Sequence, residues 1–156
     1  MNLRILAVGN RMPGWVDAGF EEYAKRLPHE CAMSLTEIPL PHRSKAQRAS
    51  SATMLEGKRM LEHIKPDDQA IALDIGGRAL TTEGLAQRFG EWLQDGRDRV
   101  FMIGGPDGLA PDCLQRAEWR WSLSALTLPH ALARVVVAEA LYRAWTVLQG
   151  HPYHRA

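Results

Sequence analysis

The residue types best suited to chemistry gather near the end of the chain. His151-Pro152-Tyr153-His154-Arg155-Ala156 sets two imidazoles, a phenol and a guanidinium around a stiffening proline. Imidazole titrates near neutral pH and can accept a proton. Tyrosine can stack on a splayed nucleobase while arginine holds the phosphate beside it. Chain ends usually fray, and a frayed end has little need of such a set. Upstream, Glu139 and Arg143 stand four residues apart. That spacing serves either a surface ion pair of about 0.3–0.5 kcal/mol, or an arginine presented to a phosphate and steadied by the carboxylate.

Two glycine doublets follow apolar runs: Asp74-Ile75-Gly76-Gly77-Arg78 and Gly104-Gly105-Pro106-Asp107-Gly108. Without side chains, such turns let a ligand approach the backbone; each is also explained by an ordinary turn. The segment Leu123-Ser124-Ala125-Leu126-Thr127-Leu128 is apolar, carries two hydroxyls and stops at Pro129-His130. It reads either as a buried strand, or as a loop whose backbone reads an adenine edge while the leucines pack on the ring. Residues 39–65 hold six basic side chains (Arg43, Lys45, Arg48, Lys58, Arg59, Lys65) against Glu56 and Glu62, 6 − 2 = +4 in a chain of net charge +1. This is a solvated helix face or a patch for RNA phosphates.

Several chemistries fall away. Gly9-Asn10-Arg11-Met12-Pro13-Gly14 has the glycine spacing of a phosphate loop, but Trp15-Val16 replaces the lysine and hydroxyl that it requires. No G-x-G-x-x-G motif follows a strand, and Ser124 lacks the flanking glycines of a nucleophile elbow. Cys31 and Cys113 form no CxxC and read as buried thiols in a reducing compartment. His151 and His154 lack an evident third ligand, so no metal site is expected. The longest apolar stretch, 131–148, contains Arg134, Glu139 and Arg143, too many charges for a comfortable membrane span. The opening apolar run is short and leads into Gly9, so no signal peptide and a cytoplasmic location are expected. The 15 arginines against 4 lysines suit phosphate recognition, or equally a GC-rich coding bias.

These groups need a scaffold, and the 156 residues, 46% hydrophobic, are enough for a single domain, 1–156. Strand-length apolar runs alternate with helical patterns. Strands are expected at Leu3–Val8, Ser34–Ile38, Gln69–Ile75 and Val100–Ile103, with a fifth inside Trp121–Leu128. Helices are expected at Val16–Leu27, Ser44–Ile64, Thr82–Asp95, Pro111–Ala117 and Ala131–Leu148. The alternation predicts an α/β fold with a mostly parallel sheet and helices on both faces. Ligands in such sheets sit beyond the carboxyl ends of the strands.

Taken together, certain motifs resemble the ribosomal RNA large subunit methyltransferase H family. They are Ile103-Gly104-Gly105-Pro106-Asp107-Gly108, Trp121-Ser122-Leu123 through Pro129-His130, Ala138-Glu139-Ala140-Leu141-Tyr142-Arg143-Ala144-Trp145, and His151-Pro152-Tyr153-His154-Arg155. Ala7-Val8-Gly9, Met12-Pro13, Trp15 and Leu73-Asp74 match it too. The resemblance runs end to end. It implies a SPOUT methyltransferase, α/β-knotted through a C-terminal trefoil, that works as a homodimer. It implies methylation of N3 of a pseudouridine in 23S ribosomal RNA, within the assembled ribosome, from S-adenosyl-L-methionine. Carried over by position, Leu73, Gly104, Leu123, Ser124, Ala125, Leu126, Thr127 and Leu128 would bind the cofactor. Glu139, Arg143, Tyr153, His154 and Arg155 would face the RNA, the tail reaching into the partner subunit's pocket. Gly76, Arg78 and the basic stretch 39–65 fall in variable parts of the family. The ring proton on N3 must be accepted. His154 is the expected base or base-positioner, with Arg155 and Arg143 holding phosphate or ring charge. Three rival readings are a non-catalytic ribosome-associated factor, a small-molecule enzyme using the glycine loops, and a SPOUT enzyme with another RNA target.

Overall fold

The computed structural model describes residues 1–41 and 49–155, without side chains at 49 and 50. The expected helix start at Ser44, and Arg43, Lys45 and Arg48 of the basic stretch, lie outside the described residues. Five strands, β1 (Leu3–Val8), β2 (Met33–Ile38), β3 (Gln69–Ala79), β4 (Arg99–Ile103) and β5 (Trp119–Ser122), form one sheet in the order β2-β1-β4-β3-β5. Every neighbouring pair is parallel. The helices are α1 (Gly14–Ala24), α2 (Ala49–Leu61), α3 (Thr82–Asp95), α4 (Pro111–Arg116) and α5 (His130–Leu148).

The period-2 pleat divides the core. Leu3, Ile5, Ala7, Ile71, Phe101 and Ile103 pack with Phe20 of α1, Phe89 of α3 and Leu141 of α5. Leu6, Val8, Ala70, Ala72, Val100 and Met102 face the other way, onto Met60 of α2 and Cys113 of α4. Central strands buried on both sides are largely apolar, and β4 is buried at all five positions, its one charged residue, Arg99, being paired with Asp95. The sheet is thus covered on both faces, as expected. Helix α5 lies between α1 and α3 and buries Val137, Ala138, Leu141 and Ala144 completely. Val137 and Leu141 each contribute about 1.5–3 kcal/mol on burial.

Local signals set the helix ends. The Thr81 hydroxyl accepts from the Gly84 N–H at 2.9 Å and starts α3. Gly96, at φ 74°, ends it. Pro111 opens α4, where its missing N–H costs nothing. Helix α1 ends at Ala24, earlier than the expected Leu27.

Helix α2 ends at Leu61, short of the expected Ile64, and two strands differ more. Strand β3 does not stop at Gly76-Gly77. Leu73 and Arg78 both pair with Trp121, so the intervening residues bulge out and the strand resumes to Ala79. The doublet admits a neighbouring strand: a side-chain carbon on Gly77 would lie 2.7 Å from the Arg120 carbonyl carbon. Strand β5 ends at Ser122, and 123–129 is loop. Serine hydroxyls take over the hydrogen bonding there. Ser122 Oγ donates to the Ser124 carbonyl at 3.1 Å, and the Leu126 N–H donates to Ser124 Oγ at 2.9 Å.

Candidate functional site

Beyond the carboxyl ends of β3, β4 and β5 lies a cavity of about 690 Å³, within the size range of small-molecule sites. Three loops build it. Leu73 stands at the last paired position before the β3 bulge and Asp74 within it, Gly104–Leu109 come from the turn after β4, and Leu123, Ser124 and Leu126–Pro129 from the loop after β5. Seven of the eight expected cofactor residues therefore share one cavity: Leu73, Gly104, Leu123, Ser124, Leu126, Thr127 and Leu128. Ala125 is exposed and stands outside the lining. Gly104 is needed by the turn itself, because a side-chain carbon there would lie 2.5 Å from the Gly108 carbonyl carbon. The turn closes with the Gly108 N–H donating to the Gly105 carbonyl at 3.0 Å. Leu126 is 75% exposed, so a ligand or partner laid over it would remove much apolar surface from water.

The lining also holds Asp74, Asp107, His130 and Ala133, none of which the sequence marked as ligands. Asp74 Oδ2 stands 3.7 Å from Arg120 Nη1. His130 opens α5, and burial first, then neighbouring Arg134, lowers its pKa and favours the neutral ring. Arg134 is fully buried. Its Nη1 donates to Glu37 Oε2 at 2.8 Å, and its Nη2 to the Gly9 and Val8 carbonyls at 2.8 and 3.2 Å. The start of α5 is thereby fastened to the end of β1. In the sequence, the only signal was a charge inside an apolar stretch.

The tail forms a second group. Arg143 Nε and the Tyr153 hydroxyl both donate to Glu139 Oε1, at 2.8 and 3.0 Å. Arg143 Cζ lies 4.8 Å from the Tyr153 ring centre, and the Tyr142 ring stands edge-on at 4.7 Å. The hydrogen bond that Arg143 donates to Glu139, opposed by burial, raises the Arg143 pKa. Burial, then Glu139, pushes the Tyr153 phenol up to about 12. His154 Nε2 lies 3.5 Å from Glu83 Oε1 of α3, and its Nδ1 is buried with no partner. Arg155 is exposed. The structure thus brings Glu139, Arg143 and Tyr153 together and sets His154 against α3. None of these, nor Arg155, lines the cavity of the same chain. Among the described residues, no cluster of His, Cys, Asp or Glu could hold a metal ion. No described helix is long and apolar enough to cross a membrane.

Comparison with known proteins gives these two groups a context. Residues 1–154 match the family described as "Predicted SPOUT methyltransferase". A protein of Alkalilimnicola ehrlichii named ribosomal RNA large subunit methyltransferase H is 54% identical over all of both chains. Proteins of the same name from Saccharophagus degradans and Pseudomonas paraeruginosa are 52% and 50% identical, over 99% of this chain and all of theirs. A crystal structure of a probable rRNA-methyltransferase from Porphyromonas gingivalis shares the fold. It superposes with a TM-score of 0.53 at 11% identity, covering 94% of this chain and 69% of that one. With a match spanning nearly every residue and full-length relatives 50–54% identical, the chain belongs to the SPOUT methyltransferase family.

Proposed function

We propose that this chain is an S-adenosyl-L-methionine-dependent methyltransferase of 23S ribosomal RNA, acting on N3 of a pseudouridine in the assembled ribosome. The observation that carries the reading is the convergence of seven family-matched positions on one cavity of about 690 Å³. Support for the RNA comes from relatives named ribosomal RNA large subunit methyltransferase H, matched over 99–100% of this chain.

A methyltransferase needs a methyl donor, and this cavity fits the proposed one. Leu73, Leu123, Leu126 and Leu128 offer apolar walls for an aromatic ring, and the bare Gly104 turn lets it approach the backbone. Asp74 and Asp107 add carboxylates that suit a cationic ligand. When bound, the donor supplies a methyl group already activated on a sulfonium.

The protein's own part is alignment and proton handling. Neutral His130 adds no positive charge to the cavity wall. Arg143, held by Glu139, and the exposed Arg155 are placed to hold phosphate or ring charge. His154 accepts the N3 proton or positions the group that does. Because these tail residues stand outside their own chain's cavity, a homodimer is the natural arrangement. The tail of one protomer then closes over the partner's cavity, and one site draws on both chains. We assign residues 1–156 to a single domain with the family's C-terminal trefoil threading, acting in the cytoplasm on ribosomes. Ribosomal RNA from a strain lacking this protein, mapped by mass spectrometry, should miss one methyl group on a 23S pseudouridine. Adding the purified protein and S-adenosylmethionine to those ribosomes should restore it. An unchanged modification map would overturn the reading, and the absence of calorimetric heat with the donor would leave a non-catalytic ribosome factor in its place.

A further inference from the structure

Next to the cavity lies a turn that neither the cavity nor the tail has used. Residues 9–13 join β1 to α1 and carry Arg11, and Trp15 follows in the first turn of α1. Arg11 sits at φ 56°, a left-handed conformation that non-glycine residues adopt at a cost and that persists where the surroundings enforce it. Here they do. The Gly9 N–H donates to the Ile38 carbonyl at 2.7 Å, and its carbonyl accepts from the buried Arg134 at 2.8 Å. On the far side, Val16 is fully buried and pins the start of α1. Between these anchors Trp15 is 58% exposed, with Asn10, Arg11, Pro13 and Gly14 exposed beside it.

The turn is also close to the cavity. Its strand β1 pairs with β4, Ala7 against Ile103, and Ile103 lines the cavity. A side-chain carbon on Gly9 would lie 3.8 Å from Nε2 of His130, another lining residue. A rigidly rooted turn thus presents an indole and a guanidinium on the same rim as the cavity, and Asp17 is the one acidic residue within 9–20.

We propose that this turn is a docking lip for the RNA strand that carries the target base: Trp15 stacks on an unpaired neighbouring base and Arg11 takes a backbone phosphate. Single-stranded nucleic acid is held by this pairing of an aromatic face with a cation. A protein partner would call for further apolar side chains around the indole. The exposed neighbours are instead polar, small or proline. The inference rests on the ribosomal RNA reading above and names further residues of that same site.

The test uses the intact enzyme on ribosomes from a strain lacking it, with Trp15→Ala, Trp15→Phe and Arg11→Ala. Stacking of about 1–3 kcal/mol per base corresponds to roughly 5- to 150-fold in affinity. Trp15→Ala should therefore raise KM for ribosomes by about tenfold, and Trp15→Phe should recover most of it. Arg11→Ala should flatten the log–log dependence on salt by about one phosphate contact. The donor's Kd by calorimetry and the mass by sedimentation should not change. An unaltered KM overturns the proposal. So does a raised KM that comes with a changed mass, which would make Trp15 a contact between protomers, or with lost donor binding. Wild-type protein that leaves the ribosomes unmethylated overturns both this proposal and the function it rests on. An active wild type with unaffected variants overturns the docking lip alone.

Discussion

Tyr153 shows how one side chain ties the tail to the rest of the chain. Its phenol is pushed from 10 up to about 12 by burial and then by the Glu139 carboxylate. The buried thiols of Cys31 and Cys113 are likewise pushed from 9 up to about 11, mainly by burial. In each case the folded state favours the neutral acid. That contribution is complete below the unfolded pKa and is lost as pH rises through the folded one. Thermal unfolding followed by circular dichroism should therefore show Tm falling above pH 9. Tyr153→Phe should flatten the fall between pH 10 and 12 and leave the segment from 9 to 10 intact. If the two curves kept the same slope above pH 10, the Tyr153 hydroxyl would not rest on Glu139 in solution. The Glu139–Arg143 pair was legible from its spacing of four. The hydroxyl that completes it lies 14 residues along the chain from Glu139, beyond the reach of any helical periodicity.

At the scale of elements, local chemistry was read well where it acts locally. Strand β1 and helix α3 have the expected bounds, Leu3–Val8 and Thr82–Asp95, because a continuous apolar run and a threonine cap are short-range signals. The errors arose where a distant partner decides. A glycine doublet reads as a stop, yet β3 continues past it because β5 lies alongside and fits only against a residue without a side chain. Gly77→Ala would place a carbon 2.7 and 2.8 Å from the Arg120 carbonyl carbon and oxygen. One strand would have to move, at a cost of about 1–3 kcal/mol, typical of overpacking. Urea unfolding should show the midpoint lowered with an unchanged m-value. Gly76→Ala is the control, since a carbon there would come no closer than 3.5 Å, to the Asp74 carboxylate. Equal midpoints for the two variants would mean that Gly77 does not separate the strands. The loop after β5 fits the same account. Both strand and ligand-reading loop were compatible with its leucines, and the hydrogen bonds of Ser122 and Ser124 select the loop.

For the whole molecule, the decisive question is whether the proposed site takes its cavity and its tail from the same chain. Within a chain the tail residues rest on α5 and α3, and none reaches the cavity lining. A two-fold dimer offers each cavity a second tail, because whatever one protomer lends its partner it also receives. Mixed dimers can separate the two arrangements. Leu126→Arg alters an exposed residue of the lining, so the core is spared while the new cation repels a sulfonium. Arg155→Ala removes an exposed tail cation. Each variant alone should be nearly inactive on ribosomes. Unfolded together and refolded at equal amounts, about half of the dimers are mixed, and each mixed dimer holds one intact pairing of cavity and tail. Activity should then return to roughly one quarter of wild type. If each site were built within one chain, every site in the mixture would carry one of the lesions and the mixture would stay as inactive as its parents. Such a result would confine cavity and tail to one protomer and remove the shared site from the mechanism.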